Sequence, residues 1–237
     1  YFFITHQQKL AGIYRDLVEN KLLTIQEYAR STNMKENEVK KQLEYATLLV
    51  EFLESINAPG QFYIARDMDL NGPIVELYGI LKKISNEDKK QRVKYITFAN
   101  FLMKPAGDMT RFVRNLKKVA GSAFLDEFIE SEEDISEEIL DALPAPGSVT
   151  IDTVASVRAD EKTRTRLEDT MEIISNKAKA IEAKSKPNQI ILKATDTIET
   201  IDPMILKKLS KEQQEEMKCS VTRLEKLIEG LREVLDV

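Results

Sequence analysis

The chain is poor in the residues that build sheets, disulfides and metal sites. Its 237 residues include 8 glycines, no tryptophan, one cysteine and one histidine. Scarce glycine beside abundant Leu, Glu, Lys, Ile and Ala is the balance of a helical protein, so the expected fold class is all-α. Cys219 has no partner for an intramolecular disulfide, and His6 alone cannot complete a Cys/His zinc site. A reducing cytoplasm fits this usage, and no metal or cofactor is expected. No apolar run approaches the roughly 20 residues of a membrane span, and no signal-peptide pattern precedes the first helix. The expected protein is neither secreted nor embedded. There is no glycine-rich phosphate loop, and His6 has no Ser, Cys or Asp partner at motif spacing, so no enzyme is expected. The acidic run Glu130 to Glu138 lacks the glycine and the alternation of a calcium loop.

What is present is charge, at 32% of residues, and apolar residues, at 42%, enough for one good core or two smaller ones. The net charge of −5 is unevenly spread. From Lys82 to Lys118 there are eleven Lys or Arg against three acidic residues, whereas Asp126 to Asp141 holds nine acidic residues and no basic one. The first block can face a polyanion, while the second is expected to be solvated or kept away from it. The abrupt apolar start YFFIT reads like the tail of an element cut from something larger, so a missing N-terminal region is expected. Proline and glycine in LPAPGS, Leu143 to Ser148, suggest a domain boundary, and SKPN, Ser185 to Asn188, a second break. Asp202-Pro203 announces a new helix. The expected organisation is a helical domain over 1–125, an acidic segment and linker over 126–148, and a helical C-terminal region over 149–237.

The segment LTIQEYARSTNMKENEVKKQL, Leu23 to Leu43, reads as two helices around a tight corner. Thr24 and Glu27 have capping-box spacing, which starts a helix through Ser31. Asn33 sits at the corner, where a positive φ is tolerated by Gly or Asn. Ala29 should face the helix crossing, and Met34 and Val39 supply the apolar anchors, continued by Leu43. Leu10, Ile13, Tyr14 and Leu17 give a preceding helix from Gln7 to Val18. This spacing is that of a helix-turn-helix, whose second helix can enter a major groove. Its exposed face would carry Lys35, Glu36, Asn37, Lys40, Lys41 and Glu44. Asn37 can bond a base edge, and Lys40 and Lys41 can meet phosphate or guanine. A helical hairpin with a solvated charged face is the competing interpretation.

In GDMTRFVRNLKK, Asp108 can cap a helix with Arg111, Arg114 and Lys118 on one side and Phe112, Leu116 and Val119 on the other. A basic stripe of this kind suits phosphate contact, or is simply solvated. The basic faces of 35–41 and 111–118 are expected to converge. Near the C-terminus, Ser210 and Gln213 have capping-box spacing, and Met217, Val221, Leu224, Ile228, Leu231 and Leu235 follow at alternating steps of four and three. This short seam suits an intramolecular hairpin with the helix over Leu167 to Ala183, or a coiled coil between chains.

The stretch HQQKLAGIYRDLVENKLLTIQEYARSTNMKENEVKKQLEYATLLVEFL, His6 to Leu53, resembles the central DNA-binding region of ParB-type partition proteins, with Phe62 to Lys118 as a continuation. The resemblance implies a sequence-specific protein that binds double-stranded DNA as a homodimer and acts in plasmid or chromosome segregation. It also implies a ParA-type ATPase partner and a cytoplasmic, nucleoid- or plasmid-associated location. Its recognition helix would be Lys35 to Tyr45. The family's N-terminal domain binds CTP, but its arginine-rich nucleotide box is absent from this chain, so CTPase activity would belong to a missing N-terminal region. Asn33 stands where the family often has Gly, and Gln42 where an apolar residue is usual. The rival to this function is a helical interaction or scaffold protein without DNA binding.

Overall fold

The structure, a computed structural model, describes residues 6–235, so the opening YFFIT lies outside the described residues. Those residues form helices and loops with no strand among them, and the fold is all-α. They divide into two compact units between Ile181 and Glu182.

The first unit begins with α1 (His6–Tyr14), which runs into a π-helical turn, Arg15–Glu19. Helix α2 (Ile25–Thr32) starts on the expected capping box: the Thr24 side chain accepts from the Glu27 N–H, and Glu27 accepts from the Thr24 N–H at 2.8 Å. It ends at Asn33, in the left-handed region at φ 54°, whose N–H bonds back into the last turn. Helix α3 (Glu36–Ser55) follows at once and changes character along its length. In its first two turns only Val39 is buried, whereas Ala46, Leu48, Leu49, Val50, Phe52 and Leu53 are buried further on. The C-terminal half of α3 is thus a core helix and its N-terminal half stands at the surface.

Residues 61–81 form α4 (Phe62–Asp67) and α5 (Asn71–Leu81), joined through Asp69 at φ 54°. Their Ile64, Met68, Ile74, Leu77 and Ile80 enter the same core as Phe52. Helix α6 (Glu87–Met103) is buried nearly all round in its second half, and Phe98 meets Phe52 edge to face at a centroid distance of 5.5 Å. Helix α7 (Met109–Ala120) starts on the Asp108 cap, as expected, and buries Phe112, Val113, Leu116 and Val119.

The acidic run is not a solvated segment beside the core. It is α8 (Leu125–Asp141), packed along α6. Phe128, Ile129, Ile135 and Ile139 recur at helical spacing and are buried, which overrides the charge on the other faces. The boundary expected at Leu143 to Ser148 is likewise tied into the first unit. The Gly147 N–H donates to the Asn57 carbonyl at 2.7 Å, Asn57 Nδ2 donates to the Pro144 carbonyl at 2.9 Å, and Leu143 and Val149 are buried. Gly147 has φ 84°, which explains a glycine there. Helix α9 (Ile151–Arg158) follows, and the Arg158 guanidinium donates to the Leu102 carbonyl at 2.9 Å, closing the end of α6.

Helix α10 (Glu161–Glu199) runs straight through the expected break at SKPN, with Pro187 inside it. Proline there removes the bond to the Ala183 carbonyl and costs about 3 kcal/mol. Exposure of the surrounding residues lets water take the freed carbonyl, and strong helix formers continue on both sides. Only its first half is buried, through Leu167, Met171, Ile174, Ser175 and Ala178. In the second unit, α11 (Pro203–Leu206) is capped by Asp202, and α12 (Lys211–Val234) by the expected Ser210–Gln213 box. No residue of α12 is buried.

Candidate nucleic-acid interface

A small satellite cluster holds the α2–α3 corner. Ile13 of α1, Tyr28 and Ala29 of α2 and Val39 of α3 are buried together, with Leu17, Leu23, Ile25, Met34 and Leu43 packed around them. Ala29 is 4% exposed and Val39 fully buried, so these two expected core residues sit at the crossing as anticipated, and Met34 lies against it. Tyr28 is a member that spacing did not single out; its burial pushes the phenol pKa up.

With the corner fixed, the first turns of α3 present Lys35, Glu36, Asn37, Glu38, Lys40 and Lys41 to solvent. Lys35, Lys40 and Lys41 have no ion pair with another described residue. Glu36 and Glu38 lie in the first turn, where carboxylates favour the positive end of the helix dipole; they belong to helix initiation. Gln42 bridges to Glu38 at 3.3 Å, and its buried Oε1 has no hydrogen-bond partner. An apolar residue would suit that position better, which agrees with the departure noted in the sequence.

Arg111, Arg114 and Lys118 are exposed on α7 and likewise have no ion pair with another described residue. Arg111 lines a crevice with Glu168 and Glu172 of α10, and α7 packs on α5 and α8. The α3 lysines stand instead on the satellite cluster built with α1 and α2.

The rest of the basic block has a different fate. Lys89 pairs with Asp126 at 2.6 Å, the Arg92 guanidinium holds both oxygens of Glu133, and Lys94 reaches Glu51 at 3.0 Å. The Arg92 contact keeps the Glu133 carboxyl below its ordinary range. Much of the basic excess around α6 is therefore spent on α8 and α3. A cleft of about 460 Å³ between α3, α5 and α6 repeats the pattern: Lys82, Lys90 and Lys94 face Glu44 and Glu51, and Tyr78 donates a hydrogen bond to Glu44. Lys94 pairs there with Glu51, and Lys90 with Glu87 at its rim.

Under the α6–α8 contact lies a polar pair that sequence reasoning did not find. Glu132 is fully buried, and Asn100 Nδ2 donates to its Oε2 at 2.7 Å. Burial raises the Glu132 pKa to about 8, against the opposing effects of the Asn100 bond and of Arg166. Glu132 Oε1, Asn100 Oδ1 and Ser136 Oγ have no partner. A neutral Glu132 carries a proton that can be donated, whereas an ionised one leaves its oxygens as acceptors only. The available signal was that Glu132 falls on the Phe128–Ile135–Ile139 stripe.

Among the described residues no cluster of metal-ligating side chains occurs, and no helix is long and apolar enough to cross a membrane. No family model matches the chain, and neither a curated protein nor a solved structure matches it.

Proposed function

We propose that the chain binds double-stranded DNA, with α2 and α3 acting as a helix-turn-helix and the first turns of α3 entering the major groove. The observation that carries this reading is the contrast along α3: a buried C-terminal half anchors a surface N-terminal half whose lysines are unpaired. A recognition helix needs that arrangement, since its exposed side chains must reach base edges while its base is held rigid. Asn37 is the base-reading residue, and Lys35, Lys40 and Lys41 meet phosphate or guanine. Arg111, Arg114 and Lys118 form a second basic face on α7, where Arg111 lies in a crevice with Glu168 and Glu172 of α10. The resemblance to ParB-type partition proteins extends the proposal to a homodimer in plasmid or chromosome segregation, nucleoid- or plasmid-associated, with a ParA-type ATPase as partner. No catalytic role is proposed for these residues.

The test is enrichment of bound sequences from a random duplex pool, followed by the same selection with Asn37→Ala. A preferred site that loses information at one or two positions in the variant supports the reading. Identical preferences would remove Asn37 from base recognition. A second reading, a scaffold that engages helices only, is favoured by the uncovered apolar face of α12; absence of duplex binding at low salt would leave that one standing.

A further inference from the structure

The α12 seam has a composition that says what covers it. Its steps of four and three set Met217, Leu224 and Leu231 at heptad position d and Val221, Ile228 and Leu235 at position a. Met217 and Leu224 are half-buried, while Val221, Ile228, Leu231 and Leu235 are exposed, at 41% to 69%. Six apolar residues in one stripe without a buried member are an unfinished interface. β-Branched residues at a, with Leu at d, favour a parallel two-stranded pairing.

The flanking charges give the same answer by a separate route. Position e holds Lys218, Glu225 and Arg232, and position g holds Gln213, Ser220, Leu227 and Val234. In a parallel pair each g faces the e five residues later on the other chain: Gln213 meets Lys218, Ser220 meets Glu225, and Leu227 meets Arg232. None of these is a like-charge contact. In the fully overlapping antiparallel pair, e faces e: Glu225 meets its own copy, and Lys218 meets Arg232. Like charges placed so are destabilising. Leu227 and Val234, both exposed, widen the stripe on the g side, where the methylenes of Arg232 can cover Leu227.

We infer that α12 pairs with α12 of a second copy of this chain, parallel and in register, through Val221, Leu224, Ile228, Leu231 and Leu235. The pairing deepens the self-association of the proposed function and rests on that part of it alone, so it stands or falls without DNA.

The experiment is cysteine cross-linking on the full chain in a Cys219→Ser background, since Cys219 lies at position f and faces away from the seam. Val221→Cys and Leu231→Cys are made separately, and each is oxidised mildly alone and as a mixture of the two. In-register parallel helices bring each position against itself, within reach of a disulfide. Each variant should then link to its own kind, with no preference for the mixed product. Linkage found chiefly between the 221 and 231 variants would establish the antiparallel order and overturn the inference. So would a Cys219→Ser chain that sediments as a monomer at high micromolar concentration. Ile228→Asp should convert the dimer to a monomer in sedimentation; a variant that stays dimeric would overturn the inference, whatever its duplex binding.

Discussion

The α2–α3 corner and the α6–α8 contact are both charged helix pairs, yet they use charge in opposite ways. Along α6 and α8, lysine and arginine are matched to carboxylates and cover a deep aromatic core, with Arg92 on Glu133 and Lys89 on Asp126. At the corner, a handful of buried side chains supports a helix end whose lysines face only water. The difference teaches that a basic run identifies a polyanion surface only after its internal carboxylates have been subtracted. Eleven cations between Lys82 and Lys118 looked like the strongest such signal. Four of them, Lys89, Lys90, Arg92 and Lys94, are partners of carboxylates within the fold, whereas the lysines of the shorter run on α3 have no ion pair with another described residue.

The comparison breaks most visibly at Glu132. Its carboxyl ionises near the usual 4.5 when unfolded and at about 8 when folded. The folded state therefore holds the extra proton between these values. Its stabilising effect is complete below pH 4.5 and is lost as the pH rises through 8, by an amount on the order of 3–5 kcal/mol. Glu132→Gln keeps the shape without the ionisation. Urea unfolding across pH 5 to 9 should show wild type losing stability relative to this variant as pH rises; parallel curves would mean that Glu132 is solvated. At the corner the sensitive quantity is volume instead. Ala29→Leu should cost roughly 1–3 kcal/mol through overpacking, read as a lower thermal midpoint. An unchanged midpoint would mean that α2 and α3 do not cross closely at Ala29. The smallest effect is a gain: Gln42→Leu removes a buried acceptor without a partner and should stabilise by about 1 kcal/mol, with chemical denaturation as the readout.

The corner was legible from sequence because its devices are local. A capping box, a left-handed Asn and two apolar anchors lie within a few residues of one another, and each was found where expected. The α7 stripe and the caps at Asp202 and Ser210 were legible for the same reason. What failed was reasoning from composition about long-range partners. Acidic residues in α8 hid a regular apolar stripe, and LPAPGS read as a linker because nothing local reveals that Asn57 holds it from 87 residues away. Pro187 read as a break because the rule concerns the buried or isolated helix, whereas exposed surroundings here leave the freed carbonyl open to solvent. The neutral Glu132 comes from burial under α6, where it meets Asn100, 32 residues distant, and no local pattern announces such a pair.

The central claim is that free lysines on α3, and not the paired cations of α6, bind the phosphates of a duplex. Fluorescence anisotropy of a labelled duplex, titrated over a range of salt, compares wild type with Lys40→Ala/Lys41→Ala and with Lys89→Ala/Arg92→Ala. Each phosphate contact contributes roughly 0.9 to the slope of log affinity against log salt. The α3 double variant should flatten that slope by up to about 1.8 and weaken binding to all sequences. The α6 double variant should leave the slope unchanged. The reverse pattern, or an α3 variant with an intact slope, would contradict the account.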